Sequence, residues 1–164
     1  GLGLESDGEY MDISVKQSPS SKEAVERLNA VMAEGIEVLS WRELPENSKN
    51  AMASVAGADY EVRFREGYEL EEGWKKKLEE FLALPEIRIM KETKKGEQEV
   101  DIRPWVYDYH IKDQTIFLKV SAGSVHNLKP ELLLKAFGDW AGVEIPHILL
   151  KVFILKGRLY NSSL

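Results

Sequence analysis

Cysteine is absent from this 164-residue chain. Without thiol groups the chain cannot form disulfides, perform thiol chemistry, or hold zinc or an iron–sulfur cluster through thiolate ligands. Its apolar runs are shorter than the ~20 residues that cross a bilayer, and residues 1–8 lack the basic start and apolar centre of a signal peptide. We therefore expect a cytoplasmic protein with no membrane partner, and any thiolate-bound cluster to belong to another chain.

The sequence also lacks the short motifs of common catalytic and phosphate-binding sites. GxGxxG, GxxxxGK(S/T), GxSxG and HExxH do not occur, which argues against phosphate-binding loops and the familiar hydrolase families. The three histidines, His110, His126 and His147, share no spacing typical of metal ligands. We therefore expect no metal site in this chain.

An excess of negative charge is confined to the first half of the chain. The formal net charge is −6, and the first 83 residues carry 10 Lys and Arg against 18 Asp and Glu, whereas the rest carry 12 against 10. Nonspecific binding to nucleic acid or anionic lipid is therefore disfavoured in the first half. The second half is compatible with a local basic face.

Strand and helix patterns alternate along the chain. Residues 1–57 contain a strand pattern at Glu9–Lys16, a helix that Ser20 or Ser21 can cap and that runs to about Glu34, and a strand pattern at Ile36–Leu44. This βαβ half-unit predicts a first subdomain. Either the half-unit donates its strands to the other sheet, or the natural chain begins further upstream. We favour the second alternative, because this chain starts in a loop-like Gly-Leu-Gly segment without an initiator Met.

Residues 58–164 are predicted to form a second, complete subdomain. Strand, helix, strand, strand, helix and strand patterns follow one another at Ala58–Arg65, Leu70–Ala83, Glu86–Thr93, Thr115–Val120, Lys129–Gly142 and Leu149–Leu155. This is the ferredoxin-like βαββαβ order. The sequence thus predicts an α+β fold, in which this unit and the additional half-unit form antiparallel or mixed sheets with helices on one face.

Five segments together carry a family resemblance. GLGLESDGEYMDISV, LNAVMAEGIEVL, DYEVRF, VDIRPWV and LKPELLL, in this order and at these separations, resemble the radical SAM-linked protein family. That family is a bacterial domain of unknown function found next to or fused to radical S-adenosylmethionine proteins. Its usual opening segment, with Ser-His-Leu-Asp and Gly-Phe-Asn-Pro runs, is missing here. The resemblance implies a radical SAM partner that holds the S-adenosylmethionine and iron–sulfur cofactors, and no cofactor in this chain.

Residues 99–124 hold the densest set of candidate functional groups. Asp101 and Arg103 stand two apart, so on a strand they share a face and are expected to pair, most simply as a surface ion pair. An Arg followed by alternating aromatics is typical of sites that contact phosphate and stack bases of single-stranded RNA. The same alternation of aromatics is also typical of a half-buried strand. The candidate RNA-binding residues are Arg103, Trp105, Tyr107, Tyr109 and Lys129, the last after a loop whose N–H groups suit an anion.

Three functions remain open on the sequence alone. The first, which we favour, is a non-catalytic domain that binds or presents a substrate such as RNA to a radical SAM enzyme. The second is an enzyme subunit whose catalytic groups are Asp101, Asp108 and His110. The third is protein–protein docking through an exposed strand edge or apolar patch, which would also permit a homodimer.

Overall fold

The computed structural model describes residues 4–6, 8–46, 48, 55–93, 96–123 and 125–156. The chain divides into two compact units, of which the smaller is Met11–Asn50 and the larger is Gly1–Tyr10 together with Ala51–Leu164. Among the described residues, every helix is too short or too polar to span a lipid bilayer.

Helices and strands are interspersed along the described chain. Helix α1 (Ser21–Asn29) lies in the smaller unit. The described part of the larger unit contains helices α2 (Trp74–Leu82) and α3 (Pro130–Ala141) and a 3-10 turn at Arg103–Trp105. The strands are β1 (Leu4–Ser6), β2 (Val55–Phe64), β3 (Arg88–Thr93), β4 (Gly96–Asp101), β5 (Val106–Lys112), β6 (Thr115–Ser121) and β7 (Ile148–Lys156).

Five strands form the main sheet, in the order β1-β7-β2-β6-β5. β2 is antiparallel to both β6 and β7, β5 is antiparallel to β6, and β1 runs parallel to β7. In chain order, β2, β5, β6 and β7 are the four strands of a ferredoxin-like βαββαβ unit, with α2 after the first strand and α3 after the third. The predicted α+β class is confirmed.

The second strand of this unit is not the predicted segment Glu86–Thr93. That segment supplies β3, which pairs with β4 in a separate two-stranded sheet, with Arg88 opposite Asp101. The hairpin is inserted between α2 and β5, and β5 occupies the place beside β6. Strand propensity depends on neighbouring residues, whereas strand pairing depends on distant ones. The sequence pattern therefore predicted a strand at Glu86–Thr93 correctly but not the strand with which it pairs.

One face of the main sheet carries the core. Alternate residues of β6 are buried, because successive side chains of a strand point to opposite faces, and β2 adds Val62 to the same side. Helices α2 and α3 cover this face, and the rings of Phe81 and Phe137 meet with 5.7 Å between their centroids. Among the described residues of this unit, no helix lies on the opposite face of the sheet.

Helix α3 ends at Gly142, whose φ of 67° is left-handed. The chain that follows packs tightly against the helix, since a Cβ on Gly138 would lie 2.6 Å from the carbonyl oxygen of Val143 and 2.8 Å from Cγ1 of Ile145. Both distances are shorter than a van der Waals contact, so only glycine fits this position. Helix α3 and the segment from Val143 to Ile145 therefore pack closely against each other.

In the smaller unit, the predicted helix forms but is shorter than expected. Ser20 caps α1 by accepting the backbone N–H of Glu23 at 3.3 Å. The helix ends at Asn29, about one turn before the predicted end at Glu34.

The two strands predicted on either side of α1, Glu9–Lys16 and Ile36–Leu44, are wrong, because neither segment pairs with any strand in the described chain. In the second segment, Asn29 takes both backbone groups of Val38. Its Nδ2 donates to the Val38 carbonyl at 3.0 Å and its Oδ1 accepts the Val38 N–H at 2.7 Å. These groups are then not offered to a neighbouring strand, and the predicted βαβ half-unit is reduced to its helix.

Candidate functional site

The candidate site is the face of the main sheet opposite α2 and α3, which we call the open face. Its side chains alternate with the buried ones along four strands, and all are exposed or half-buried. They are Asp59, Glu61 and Arg63 on β2, Asp108, His110 and Lys112 on β5, Thr115, Phe117 and Lys119 on β6, and Leu149 and Lys151 on β7.

Two aromatic rings stack on the open face. His110 lies opposite Phe117 in the β5–β6 register, and their ring centroids are 4.4 Å apart with planes only 4° from parallel. The imidazole is exposed and the phenyl ring is half-buried. The pair therefore presents a flat aromatic surface with a polar edge to solvent.

Charged side chains of both signs surround this ring pair. Nζ of Lys119 lies 4.0 Å from Oδ1 of Asp59, and Nη2 of Arg63 lies 3.2 Å from Oε2 of Glu61. Burial raises the pKa of Asp59 above its usual 3.8, and although Lys119 lowers it, the nearby Asp108 raises it again. The open face is thus mixed in charge, with cations and carboxylates side by side.

Two of the predicted binding residues, Trp105 and Arg103, lie in the 3-10 turn and not on the open face. The Trp105 ring stacks on His126 with 4.8 Å between centroids, and Nζ of Lys91 lies 5.1 Å from its centroid. Nη1 of Arg103 donates to the Val106 carbonyl at 3.0 Å. These contacts tie the turn to the loop before α3, to β3 and to the start of β5.

The other two predicted aromatics, Tyr107 and Tyr109, also fail to line up with the ring pair. The β5–β6 register shifts between Val106 and Asp108, so Tyr107 falls at an irregularity and its hydroxyl donates to the Ala56 carbonyl at 3.4 Å. Tyr109 packs against the core side of the sheet. The aromatic alternation of the sequence therefore does not become one aromatic face.

Asp101 bonds to backbone groups. Its Oδ1 accepts the N–H of Ile87 at 2.9 Å and the N–H of Arg103 at 3.0 Å. The predicted ion pair between the Asp101 and Arg103 side chains is wrong, since the guanidinium turns to Val106. Of the three predicted catalytic groups, the structure brings only Asp108 and His110 together on the open face. In the described part of the chain, no three His, Asp or Glu side chains are placed to share a metal ion.

Lys129 lies on the other side of the sheet from the open face. It precedes α3 and is exposed at the rim of a groove of about 740 Å³ lined by α3, residues 143–150 and Tyr60. Burial raises the pKa of Tyr60, and the negative charge of Glu131 adds to this shift. Lys129 therefore belongs to a different surface from His110.

Phe117, Lys119 and Asp59 are open-face residues that the sequence patterns did not single out. A usable signal was present, because the predicted strand Thr115–Val120 alternates and its buried residues leave Thr115, Phe117 and Lys119 on the opposite side. What the sequence did not reveal is that this side stays open and lies beside His110.

A protein-family model described as "Uncharacterized protein conserved in bacteria (DUF2344)" matches residues 1–130. The match covers most of the chain and ends at the first residue of α3. No curated protein and no solved structure matches the chain.

Proposed function

The chain belongs to the DUF2344 family of uncharacterized bacterial proteins, and we propose that it is a non-catalytic accessory domain that binds single-stranded RNA on its open face for a radical SAM enzyme. The observation that carries this proposal is the stacked pair of His110 and Phe117, 4.4 Å apart on an open antiparallel sheet.

The ring pair suits an unstacked nucleobase. Proteins that recognise single-stranded RNA commonly stack bases on aromatic side chains of an open four-stranded sheet, where each stacked base contributes about 1–3 kcal/mol. The exposed imidazole of His110 supplies a planar surface and ring nitrogens at its edge. Phe117 supports it from the neighbouring strand.

The charges of the open face favour a short, weakly salt-dependent contact. Its four cations stand among three carboxylates, and both Lys119 and Arg63 lie within 4.0 Å of a carboxylate oxygen. Each phosphate that a cation neutralises lowers log affinity by about 0.7 per unit of log salt for single strands. We expect one or two such contacts, so stacking contributes more than charge.

The radical SAM partner rests on the resemblance of the five sequence segments. The absence of cysteine is consistent with it, because the cysteine ligands of an iron–sulfur cluster cannot come from these 164 residues. In this proposal the partner holds S-adenosylmethionine and the cluster, and the present chain supplies the substrate-binding face.

Fluorescence anisotropy with labelled single-stranded RNA and transfer RNA, at two salt concentrations, tests the proposal. We expect wild-type binding that weakens moderately with salt, and about a five- to hundredfold loss for Phe117→Ala and His110→Ala because a stacking partner is removed. Leu149→Ala is the matched control, since Leu149 is exposed on the open face but lies on β7, away from the rings.

Two outcomes contradict the proposal. One is the absence of binding to any RNA at low salt. The other is binding that Phe117→Ala and His110→Ala leave unchanged while circular dichroism shows that both variants are folded. In the second case the RNA contacts lie elsewhere, and the groove beside Lys129 becomes the next surface to substitute.

A second candidate function is docking onto the radical SAM enzyme through the smaller unit. The observation that favours it is that this unit exposes large apolar side chains, including Met11 at 73%, Val31 at 77% and Leu39 at 70%. A contiguous exposed apolar patch is typical of protein interaction sites, and this second proposal requires that these side chains form one. A pull-down with a purified radical SAM protein encoded beside the chain tests it, with retention expected for wild type and loss for Met11→Ser combined with Leu39→Ser.

A further inference from the structure

Strand β5 has an outer edge without a neighbouring strand among the described residues. It is the last strand of the main sheet, and no strand in the described ranges pairs with its outer side. The N–H of Tyr109 belongs to this edge, since it donates to the Asp108 carboxylate at 2.9 Å. Backbone groups along an antiparallel strand alternate between its two sides, so those of Ile111 face outward as well. Such an edge is a template for another strand.

We propose that a second copy of this chain pairs antiparallel with β5 along this edge, with His110 opposite His110 of the second copy on a two-fold axis. In this register Asp108 lies opposite Lys112 of the second copy, and Tyr109 lies opposite Ile111 of the second copy. Because of the two-fold symmetry, each of these two contacts occurs twice in the dimer.

Charge and side-chain type select this register. Asp108 and Lys112 are both exposed on the open face. Pairing centred on His110 moves the Tyr109 N–H from the Asp108 carboxylate to the Ile111 carbonyl of the second copy, and it leaves each Asp108 to form an ion pair with Lys112 of the second copy. On the other face, the half-buried Tyr109 and Ile111 form two aromatic and β-branched pairs, which stabilise antiparallel strands. Moving the axis to Ile111 would place Lys112 opposite His110 and lose both ion pairs.

The length of the regular edge sets the strength of the dimer. The register shift after Val106 ends the regular stretch, which leaves residues 108–112 of each copy to pair. An interface this short is small, so the dimer is weak and depends on concentration. It joins two main sheets into one and places two copies of the His110–Phe117 pair side by side, with or without RNA.

Sedimentation equilibrium from about 5 to about 500 µM, without RNA, measures this association, since small interfaces bind weakly. Wild type is expected to show a reversible monomer–dimer equilibrium. Lys112→Glu is expected to weaken it about tenfold, because like charges then face each other at both Asp108 positions. Lys151→Glu is the control, with the same charge change on β7, and is expected to match wild type.

Cysteine substitution tests the register independently. In the proposed register the two His110 residues form a non-hydrogen-bonded pair, because the outward backbone groups are those of Tyr109 and Ile111. The Cα atoms of such a pair are about 4.5 Å apart, within the ~4.4–6.8 Å range of disulfides. Because the chain has no cysteine, any disulfide-linked dimer of His110→Cys reports this contact. Under mild oxidation we expect His110→Cys to link at least about tenfold faster than Lys112→Cys, whose Cα atoms lie far apart in this register.

Three results would overturn the pairing. They are a wild-type chain that stays monomeric over the whole concentration range, a folded Lys112→Glu variant that associates like wild type, or equal linking rates for the two cysteine variants. Since no RNA is present in either experiment, failure here leaves the RNA proposal standing, and failure of RNA binding leaves this one standing.

Discussion

Oδ1 of Asp101 accepts the backbone N–H of Ile87, 14 residues earlier in the chain, at 2.9 Å. The same oxygen accepts the N–H of Arg103 at 3.0 Å. One carboxylate oxygen therefore joins the start of the β3–β4 hairpin to the 3-10 turn that leaves it. The contact gives Asp101 a structural role at the base of the inserted hairpin.

Asp101→Ala is expected to destabilise the chain by about 1–3 kcal/mol, because two part-buried N–H groups lose their acceptor. Asp101→Asn keeps an oxygen acceptor and should lose less. Urea denaturation measures both. Asp139→Ala is the control, since Asp139 pairs only with exposed Lys135 among the described contacts, and exposed pairs contribute little. Equal midpoints for Asp101→Ala and wild type would refute this role.

Asn29→Ala is expected to speed cleavage of the smaller unit by a Glu-specific protease about two- to tenfold. The reason is that the segment holding Glu34 and Glu37 loses the two hydrogen bonds between Asn29 and Val38. Both bonds are exposed to water, so together they contribute about 0.5–1.5 kcal/mol. Initial cleavage rates followed by mass spectrometry give the result.

Arg27→Ala controls for general loosening of α1, because Arg27 bonds only to exposed Glu23 among the described contacts. Its cleavage rate should stay near that of wild type. If both variants are cut equally fast, helix stability and not the Asn29 contact controls access to the segment.

Gly138→Ala is expected to destabilise the chain by about 1–3 kcal/mol, although alanine is the better helix former by about 1 kcal/mol. The added Cβ would lie 2.6 Å from the Val143 carbonyl oxygen, which cannot move without shifting the chain after α3. Thermal and urea denaturation measure the change. Lys135→Ala, an exposed change on the same helix, should stay within about 0.5 kcal/mol of wild type. A stabilised Gly138→Ala variant would contradict this prediction, because it would mean that the chain after α3 moves away from the added Cβ at little cost.

Asp59→Asn is expected to raise the melting temperature near neutral pH. The folded pKa of Asp59 lies above 3.8, so the folded chain binds this proton more tightly than the unfolded chain. Asp59 therefore contributes most to the free energy of unfolding when the pH is below 3.8, where its carboxyl is protonated in both states. This contribution falls as the pH rises through the folded pKa and stays lower at higher pH. The substitution removes that loss at about pH 7 and changes little at about pH 3.

Melting curves across this pH range, with Asp139→Asn as the exposed control, check the direction. A lower melting temperature for Asp59→Asn at about pH 7 would mean that the Lys119 contact outweighs the cost of burial. The predicted sign would then be wrong.

Several elements were predictable because their signals are local. The helix pattern at Leu70–Ala83 contains α2, and the pattern that begins at Lys129 and ends at Gly142 matches α3 closely. Strands β2, β6 and β7 also fall on their predicted segments. Apolar periodicity, a Pro in the first turn and a closing glycine act within a few residues, so they are visible in the sequence.

The candidate site was predictable only in part. Asp108 and His110 were predicted as catalytic groups because they stand in a dense polar run. The structure places both on the open face, and their catalytic role stays a prediction. The predicted aromatic face failed because Trp105 lies in a 3-10 turn and the register shifts at Tyr107. That prediction assumed that alternate side chains of one regular strand point to the same face. A 3-10 turn and a register shift each interrupt this alternation.

The amino-acid sequence by itself determined the α+β class, the position of both large-unit helices and the absence of thiol chemistry. Only the tertiary structure decided that β3 pairs with β4, that β5 lies beside β6, and that Phe117 meets His110 on an open face. The physical reason is that a helix bonds within itself, whereas a strand takes its hydrogen-bond partners from distant parts of the chain. The face that remains open is therefore set by the whole fold.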